Sequence, residues 1–244
     1  MAALSDKNVL ITGGATGIGW GIAQAMGAAG AQVAISGRRE DKLSEAKASW
    51  AGSIPLLTHP VDVADRASVQ ALFAWAKTAL GRIDILVCSA GMNIKNRMLS
   101  EMRPEQWDEV MGVNATGVYN CLYEVLPQMR ERQDGVIFIV SSVSGKRAAP
   151  LGGVAYNASK FAATGLGVSA WNEEGPRGIR ITNVYPGEVD TPILEHRPQP
   201  VSAERRATML RPDDVAAMVV AIAQLPPHAH VPELVIKPTV QAYV

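Results

Sequence analysis

Thr12-Gly13-Gly14-Ala15-Thr16-Gly17-Ile18-Gly19 is the stretch on which the fold turns. A short β-branched run over residues 8–12 precedes it, and a helical pattern over 18–29 follows. Glycines between a strand and a helix allow a tight turn and the close approach of a pyrophosphate. The helix N-terminus beyond offers unpaired N–H groups and a positive dipole end to the phosphates. The spacing is Gly13-x3-Gly17-x-Gly19 rather than G-x-G-x-x-G, so its weight comes from the strand–turn–helix setting. Gly13, Thr16, Gly17, Ile18 and Gly19 are the expected phosphate-side residues.

Outward from this turn, apolar runs alternate with helical stretches. Strands are expected at 8–12, 32–36, 54–58, 83–89, 135–141, 180–185 and 234–236, and helices at 18–29, 42–51, 67–80, 104–132 and 156–173. Runs such as Val136-Ile137-Phe138-Ile139-Val140 are apolar throughout, as strands covered on both faces are. Repeated β-α-β units predict a Rossmann-type, doubly wound α/β sheet of about seven parallel strands with helices on both faces. With no linker, repeat or low-complexity segment, residues 1–244 read as a single NAD(P)-binding domain.

Lysine plus arginine equals aspartate plus glutamate, 23 against 23, so overall charge argues for neither nucleic acid nor an anionic membrane as partner. Only Cys88 and Cys121 are present, both in apolar patterns, and both read as small core residues. That cysteine usage, an N-terminus without an apolar leader, and no run of membrane-spanning length make a cytoplasmic protein the expectation.

The tip of the second strand selects the cofactor. A carboxylate there would accept from the ribose 2′-OH of NAD. This chain has Gly37-Arg38-Arg39, and guanidinium groups fork onto the oxygens of a 2′-phosphate. NADP is therefore expected, with NAD the alternative if Arg38 and Arg39 only face solvent or pair with Glu40 and Asp41. Asp62, in Asp62-Val63, either accepts the adenine amino group or begins the next turn. The small residues of Ser89-Ala90-Gly91 would let a cofactor lie across the sheet edge.

Chemistry is expected at Tyr156 and Lys160, one helical turn apart in Tyr156-Asn157-Ala158-Ser159-Lys160. A lysine ammonium beside a phenol favours the phenolate and suits it to acid/base work. Ser142, at the carboxyl end of the fifth strand, has a hydroxyl able to hold a substrate carbonyl oxygen.

In order, TGGATGIG, Asp62-Val63, CSAG, Asn114, SSVSG, YNASK and Pro186-Gly187 resemble the short-chain dehydrogenase/reductase family, from Thr12 to about Pro192. The resemblance implies that Tyr156 is the acid/base and that Lys160 lowers its pKa and holds the nicotinamide ribose. It implies that Ser142 steadies the substrate oxygen and that Asn114 holds a water linking Lys160 to solvent. Pro186, Gly187 and Val189 would flank the nicotinamide, and Thr191 would contact its amide or the phosphates. Three departures are Cys88-Ser89-Ala90-Gly91 where Asn-Asn-Ala-Gly is usual, a Ser142–Tyr156 interval one residue longer than the commonest, and a C-terminus without the usual glycine-rich ending. The implied activity is interconversion of a ketone or aldehyde with an alcohol, by a homotetramer or dimer. The rivals are an NAD-dependent alcohol dehydrogenase and a non-catalytic nucleotide-binding sensor.

Loops 92–99, 146–155 and 191–209 are expected to build the substrate pocket. The last contains the proline-rich stretch 191–202, expected to act as a lid, with a stiff surface connection the alternative. Glu188 and Asp190 either meet a polar substrate or face solvent, and His196 reads as an exposed loop residue. His228 and His230 lack a third ligand nearby and read as a surface turn, with no metal expected.

Overall fold

Val9, Leu10 and Ile11 are each 0% exposed, because helices cover both faces of the strand that carries them. The structure, a computed structural model, describes residues 4–242. Residues 1–3, part of the N-terminal stretch expected to carry no leader, and residues 243–244 lie outside the described residues. Seven strands form the sheet: β1 (Asn8–Thr12), β2 (Gln32–Gly37), β3 (Leu57–Pro60), β4 (Ile85–Cys88), β5 (Gly135–Val140), β6 (Ile179–Pro186) and β7 (Glu233–Ile236). Their order is β3-β2-β1-β4-β5-β6-β7, and every pairing is parallel. β1 lies between β2 and β4, so the winding reverses there and a crevice opens beyond the carboxyl ends of β1 and β4.

One face of the sheet is covered by α1 (Gly17–Ala28), α2 (Glu40–Ala48) and α8 (Pro212–Ala223), which pack Ile22, Met26, Leu43, Val215 and Val219 with Val9 and Ile11. The other is covered by α3 (Arg66–Leu80), α5 (Gly117–Arg132) and α6 (Val154–Glu174), which pack Leu72, Phe73, Val125 and Ala163 with Leu10 and Ile137. A shorter α4 (Pro104–Met111) precedes α5, and a five-residue α7 (Ala203–Ala207) lies near the carboxyl edge. Cys88 and Cys121 are both buried in this second core.

Where boundaries depart from expectation, local hydrogen bonding gives the reason. β3 begins at Leu57, not at 54, because Pro55 has no N–H and the carbonyls before the strand serve side chains. Trp50 Nε1 donates to Ile54 O at 2.8 Å and Gln32 Nε2 to Pro55 O at 2.9 Å. The expected helix 104–132 divides into α4 and α5 at a π turn over Gly112–Thr116. Gly117 there approaches Val63 so closely that a Cβ would stand 2.6 Å from Val63 Cγ2, and Asn120 Nδ2 donates to Val63 O at 2.9 Å. The sequence reading missed α8, although Val215, Val219 and Ile222 recur at helical spacing and Asp214 accepts from Arg211 N at 2.7 Å.

Candidate active site

A cleft of about 520 Å³ runs along the carboxyl edge of the sheet. Strand order sets its layout: Arg38 and Arg39 follow β2, Gly13 to Ile18 follow β1, and Ser89 to Gly91 follow β4. Ser142 follows β5, and Pro186, Gly187, Val189 and Thr191 close or follow β6. Val63, Tyr156 and Lys160 complete the expected residues that line it.

The glycine-rich turn is shaped to leave room. Gly13 has φ +66°, in the left-handed region, and a Cβ there would stand 2.6 Å from the Ala90 backbone. Thr191 comes beside the same turn, since a Cβ on Gly17 would lie 3.2 Å from its Cγ2. A side chain on Gly13 would collide with the backbone after β4, and one on Gly17 would crowd Thr191 and Pro192. The first turn of α1 contains no acidic residue, so an anion there meets no opposing carboxylate. The turn and the small residues after β4 therefore fit a dinucleotide, while Arg38 and Arg39 stand exposed at the cleft edge, Arg38 3.9 Å from Glu109.

Ser142 caps the short 3₁₀ turn Val143–Gly145, its Oγ accepting from Ser144 N at 3.1 Å. With that lone pair used, the serine's own hydrogen is available to a second oxygen. Ser142 shares the cleft with Tyr156, which stands in the first turn of α6. Lys160, one turn further, is 5% exposed; its Nζ donates to Val140 O at 2.9 Å and lies 5.6 Å from the centre of the Tyr156 ring.

Burial pushes the Tyr156 phenol above its ordinary value, although part of the residue stays open to the cleft. The Ser142 hydroxyl and the charge of Arg97 pull the other way. Arg97, which the sequence did not single out, thus joins the expected Lys160 among the cations near the phenol. Lys160 is itself lowered from 10.5 to about 8 by burial. The cluster holds a phenol, a hydroxyl and a lysine able to change protonation near neutral pH, which are the parts needed to pass a proton to or from an oxygen.

Three expected residues do not line the cleft. The Asp62 carboxylate accepts from Ala64 N at 3.0 Å through Oδ1. Gly19 packs against the carbonyl of Gly13 and serves the turn's shape. Asn114, 1% exposed, accepts from Met92 N at 2.9 Å and donates to Met92 O and Ser159 Oγ, both at 3.0 Å. It still borders the lysine: a Cβ on Gly91 would be 3.6 Å from both Asn114 Oδ1 and Lys160 Nζ.

Segment 191–209 is more ordered than expected, with a 3₁₀ turn at Pro192–His196 and then α7. Glu188 and Asp190 fasten it. Glu188 pairs with Arg197 at 2.8 Å and with Arg205, and Asp190 pairs with Arg206 at 2.6 Å. His230 packs edge-on against Trp171, its Nε2 3.0 Å from Ile181 O. Arg97 and Gln241 line the cleft and were not singled out from the sequence. The only available signal for Arg97 was its place in loop 92–99; for Gln241 there was none.

A doubly wound sheet whose switch point opens on a glycine-rich turn, beside a Ser-Tyr-Lys cluster, defines a dinucleotide-binding oxidoreductase. A family profile described as "short chain dehydrogenase" matches residues 7–201. Oxidoreductase UcpA of Salmonella typhimurium is 37% identical over 93% of this chain and 82% of its own length. Glycine betaine reductase of Emericella nidulans is 32% identical over 96% of this chain, which spans only 19% of that longer protein. The X-ray structure of an alcohol dehydrogenase from the archaeon Thermococcus sibiricus, complexed with 5-hydroxy-NADP, superimposes with a TM-score of 0.87 at 27% identity, covering 97% of this chain and 98% of that one. The chain belongs to the short-chain dehydrogenase/reductase family.

Proposed function

We propose that the protein is an NADP-dependent carbonyl reductase or alcohol dehydrogenase, in which Tyr156 gives a proton to the substrate oxygen or takes one from it. The observation that carries this reading is the convergence of Ser142, Tyr156 and the buried Lys160, fixed by its bond to Val140 O, in the same cleft as Arg38 and Arg39. NADPH, when bound, supplies the hydride that becomes the new C–H bond. Arg38 and Arg39 hold its 2′-phosphate, with Gly13, Thr16, Gly17 and Ile18 around the pyrophosphate. The NADP analogue bound to the Thermococcus sibiricus relative supports a nicotinamide dinucleotide in this cleft, and the two arginines carry the choice of NADP.

On the protein side, Ser142 donates its hydroxyl hydrogen to the carbonyl oxygen, which Ser144 N leaves it free to do. Tyr156 then delivers its phenolic proton to the same oxygen as negative charge develops there. Lys160 uses one of its three donors on Val140 O and keeps two for the ribose hydroxyls and the tyrosine side. With its pKa near 8 it exchanges protons with solvent close to neutral pH and returns Tyr156 to the phenol. Oxidation of an alcohol runs these transfers backwards. Segment 191–209 serves as the lid, held shut by Glu188 and Asp190. Exposed Tyr119 and Tyr123 on α5 and Phe161 on α6 are the surface through which copies associate into a dimer or tetramer.

The test is Tyr156→Phe. General acid catalysis is worth typically 10²–10⁴-fold, so turnover of a ketone panel should fall by about that factor while NADPH binding, followed by fluorescence, is kept. Turnover within a few-fold of wild type, with chemistry rate-limiting, sinks the assignment. Binding of NADPH by the wild-type protein without turnover across the panel would favour the sensor.

A further inference from the structure

Arg97 is a buried cation in the reaction cleft that takes part in no proton transfer of its own. It is 8% exposed and lines the same cleft as Ser142 and Tyr156. Its Nε donates to Ile94 O at 2.6 Å, its Nη1 to Leu151 O at 2.6 Å and its Nη2 to His196 O at 2.8 Å. All three acceptors are neutral carbonyls. A guanidinium has five N–H groups, so two remain, one on each terminal nitrogen.

Among the described residues, no acidic side chain forms an ion pair with Arg97. Glu188, the buried carboxylate of the cleft, is already shared by Arg197 and Arg205. Glu195 stands on the exposed rim. Burial lowers Arg97 from its ordinary value and the charge of Arg197 adds to this, with Tyr156 alone pulling the other way. An enclosed charge without a carboxylate partner is costly even when its N–H groups are hydrogen-bonded. Binding three carbonyls requires donors but no net charge. The fixed fork of a guanidinium matches a carboxylate with two parallel hydrogen bonds.

The position of the charge is as informative as its lack of a partner. Arg97 and Tyr156 line the same cleft and the charge of Arg97 favours the phenolate, so an anion on Arg97 would lie in the cleft that holds the reacting group. The loop is also pinned against the start of α6. Val154 N donates to Arg97 O at 3.2 Å, and Gly153, with φ +78°, takes a left-handed turn where a side chain would collide with Arg97.

We propose that the substrate is an oxo acid or the matching hydroxy acid, whose carboxylate Arg97 binds through its two remaining N–H groups. This rests on the reductase reading above and adds the substrate class to it. The carboxylate is a handle and takes no part in bond making; Arg97 fixes which carbonyl compounds present their oxygen to Ser142 and Tyr156.

The experiment measures kcat/KM with NADPH on 2-oxo and 3-oxo acids and on their methyl esters, for wild type, Arg97→Gln and Arg97→Lys. Wild type should prefer the acids. Arg97→Gln should lose about 100-fold on the acids and only a few-fold on the esters, the loss expected when a buried charge-assisted pair is broken. Arg97→Lys should recover part of the activity on the acids, and NADPH affinity should be unchanged in both variants. Equal losses on acids and esters, or a wild-type preference for esters, would overturn the proposal, make Arg97 a staple between loops and leave the reductase reading standing. The wild-type ratio decides even if the glutamine variant folds poorly. No turnover of either class, with NADPH bound, refutes this proposal and the reductase reading together.

Discussion

Replacing Lys160 with methionine should make the protein more stable near neutral pH while stopping the reaction. The ammonium is 5% exposed and its pKa has fallen from 10.5 to about 8, with burial the cause. At about 1.4 kcal/mol per pKa unit, holding this group charged in the folded protein costs roughly 3 kcal/mol at pH 7. Methionine has a similar reach and no charge, so that cost disappears. Against this, Val140 O loses its 2.9 Å donor, and an unpaired buried carbonyl costs about 1–3 kcal/mol. The net expectation is a gain of roughly 1 kcal/mol near pH 7.

The pH dependence distinguishes this account from simple repacking. Between about 8 and 10.5 the unfolded chain keeps the lysine proton while the folded chain has released it, so wild-type stability contributed by this group rises with pH. Below about 8 the whole cost is present; above 10.5 none is, yet the neutral amine still donates to Val140 O. The variant should therefore be the more stable protein near pH 7 and the less stable one above pH 10, by about 1–3 kcal/mol. Urea unfolding followed by tryptophan fluorescence at a series of pH values measures the difference, and other titrating groups cancel between the two proteins. A variant that is less stable near pH 7 by a margin independent of pH would refute the reasoning.

Arg38→Ala with Arg39→Ala should weaken NADPH binding by at least about 10-fold and leave NADH binding nearly unchanged, since only the former has a 2′-phosphate to lose; fluorescence titration of both nucleotides checks this. Glu188→Gln removes the carboxylate shared by Arg197 and Arg205, so segment 191–209 should be cut faster by trypsin with little change in Tm. Glu174 is 1% exposed and pairs with Arg130 at 2.6 Å and Arg177 at 3.2 Å, which hold its carboxyl below the usual value. Glu174→Gln should cost about 2 kcal/mol at neutral pH. Because the folded-state pKa is depressed, the wild-type advantage should be present above the unfolded value and fade as pH falls through the folded one, as acid-titrated unfolding would show.

Much of this molecule is legible along the chain because its signals are local. A strand covered on both faces must be apolar throughout, so Val136 to Val140 announces β5 without any knowledge of its neighbours. A glycine-rich turn between strand and helix announces the cofactor edge, and Tyr156 and Lys160 share a helix face by spacing alone. The misses have the opposite character. The π turn at Gly112–Thr116 depends on how closely Gly117 meets Val63, and the late start of β3 depends on side chains of Trp50 and Gln32 reaching its loop.

Residue order and periodicity were enough to determine a parallel doubly wound sheet and the succession of motifs along its carboxyl edge. Local backbone preference and a repeating apolar pattern carry that information. Charge relations were settled only when distant segments met. Glu188 could have faced substrate or solvent until packing gave it Arg197 and Arg205. Arg97 was one basic residue among 23 until burial left it with three carbonyls and no carboxylate. Lys160 was expected to act by its charge on Tyr156, yet its enclosure, which spacing cannot report, brings its own pKa to about 8. Electrostatic energies depend on solvent exclusion and on which groups lie within a few ångströms, and both are properties of the packed molecule.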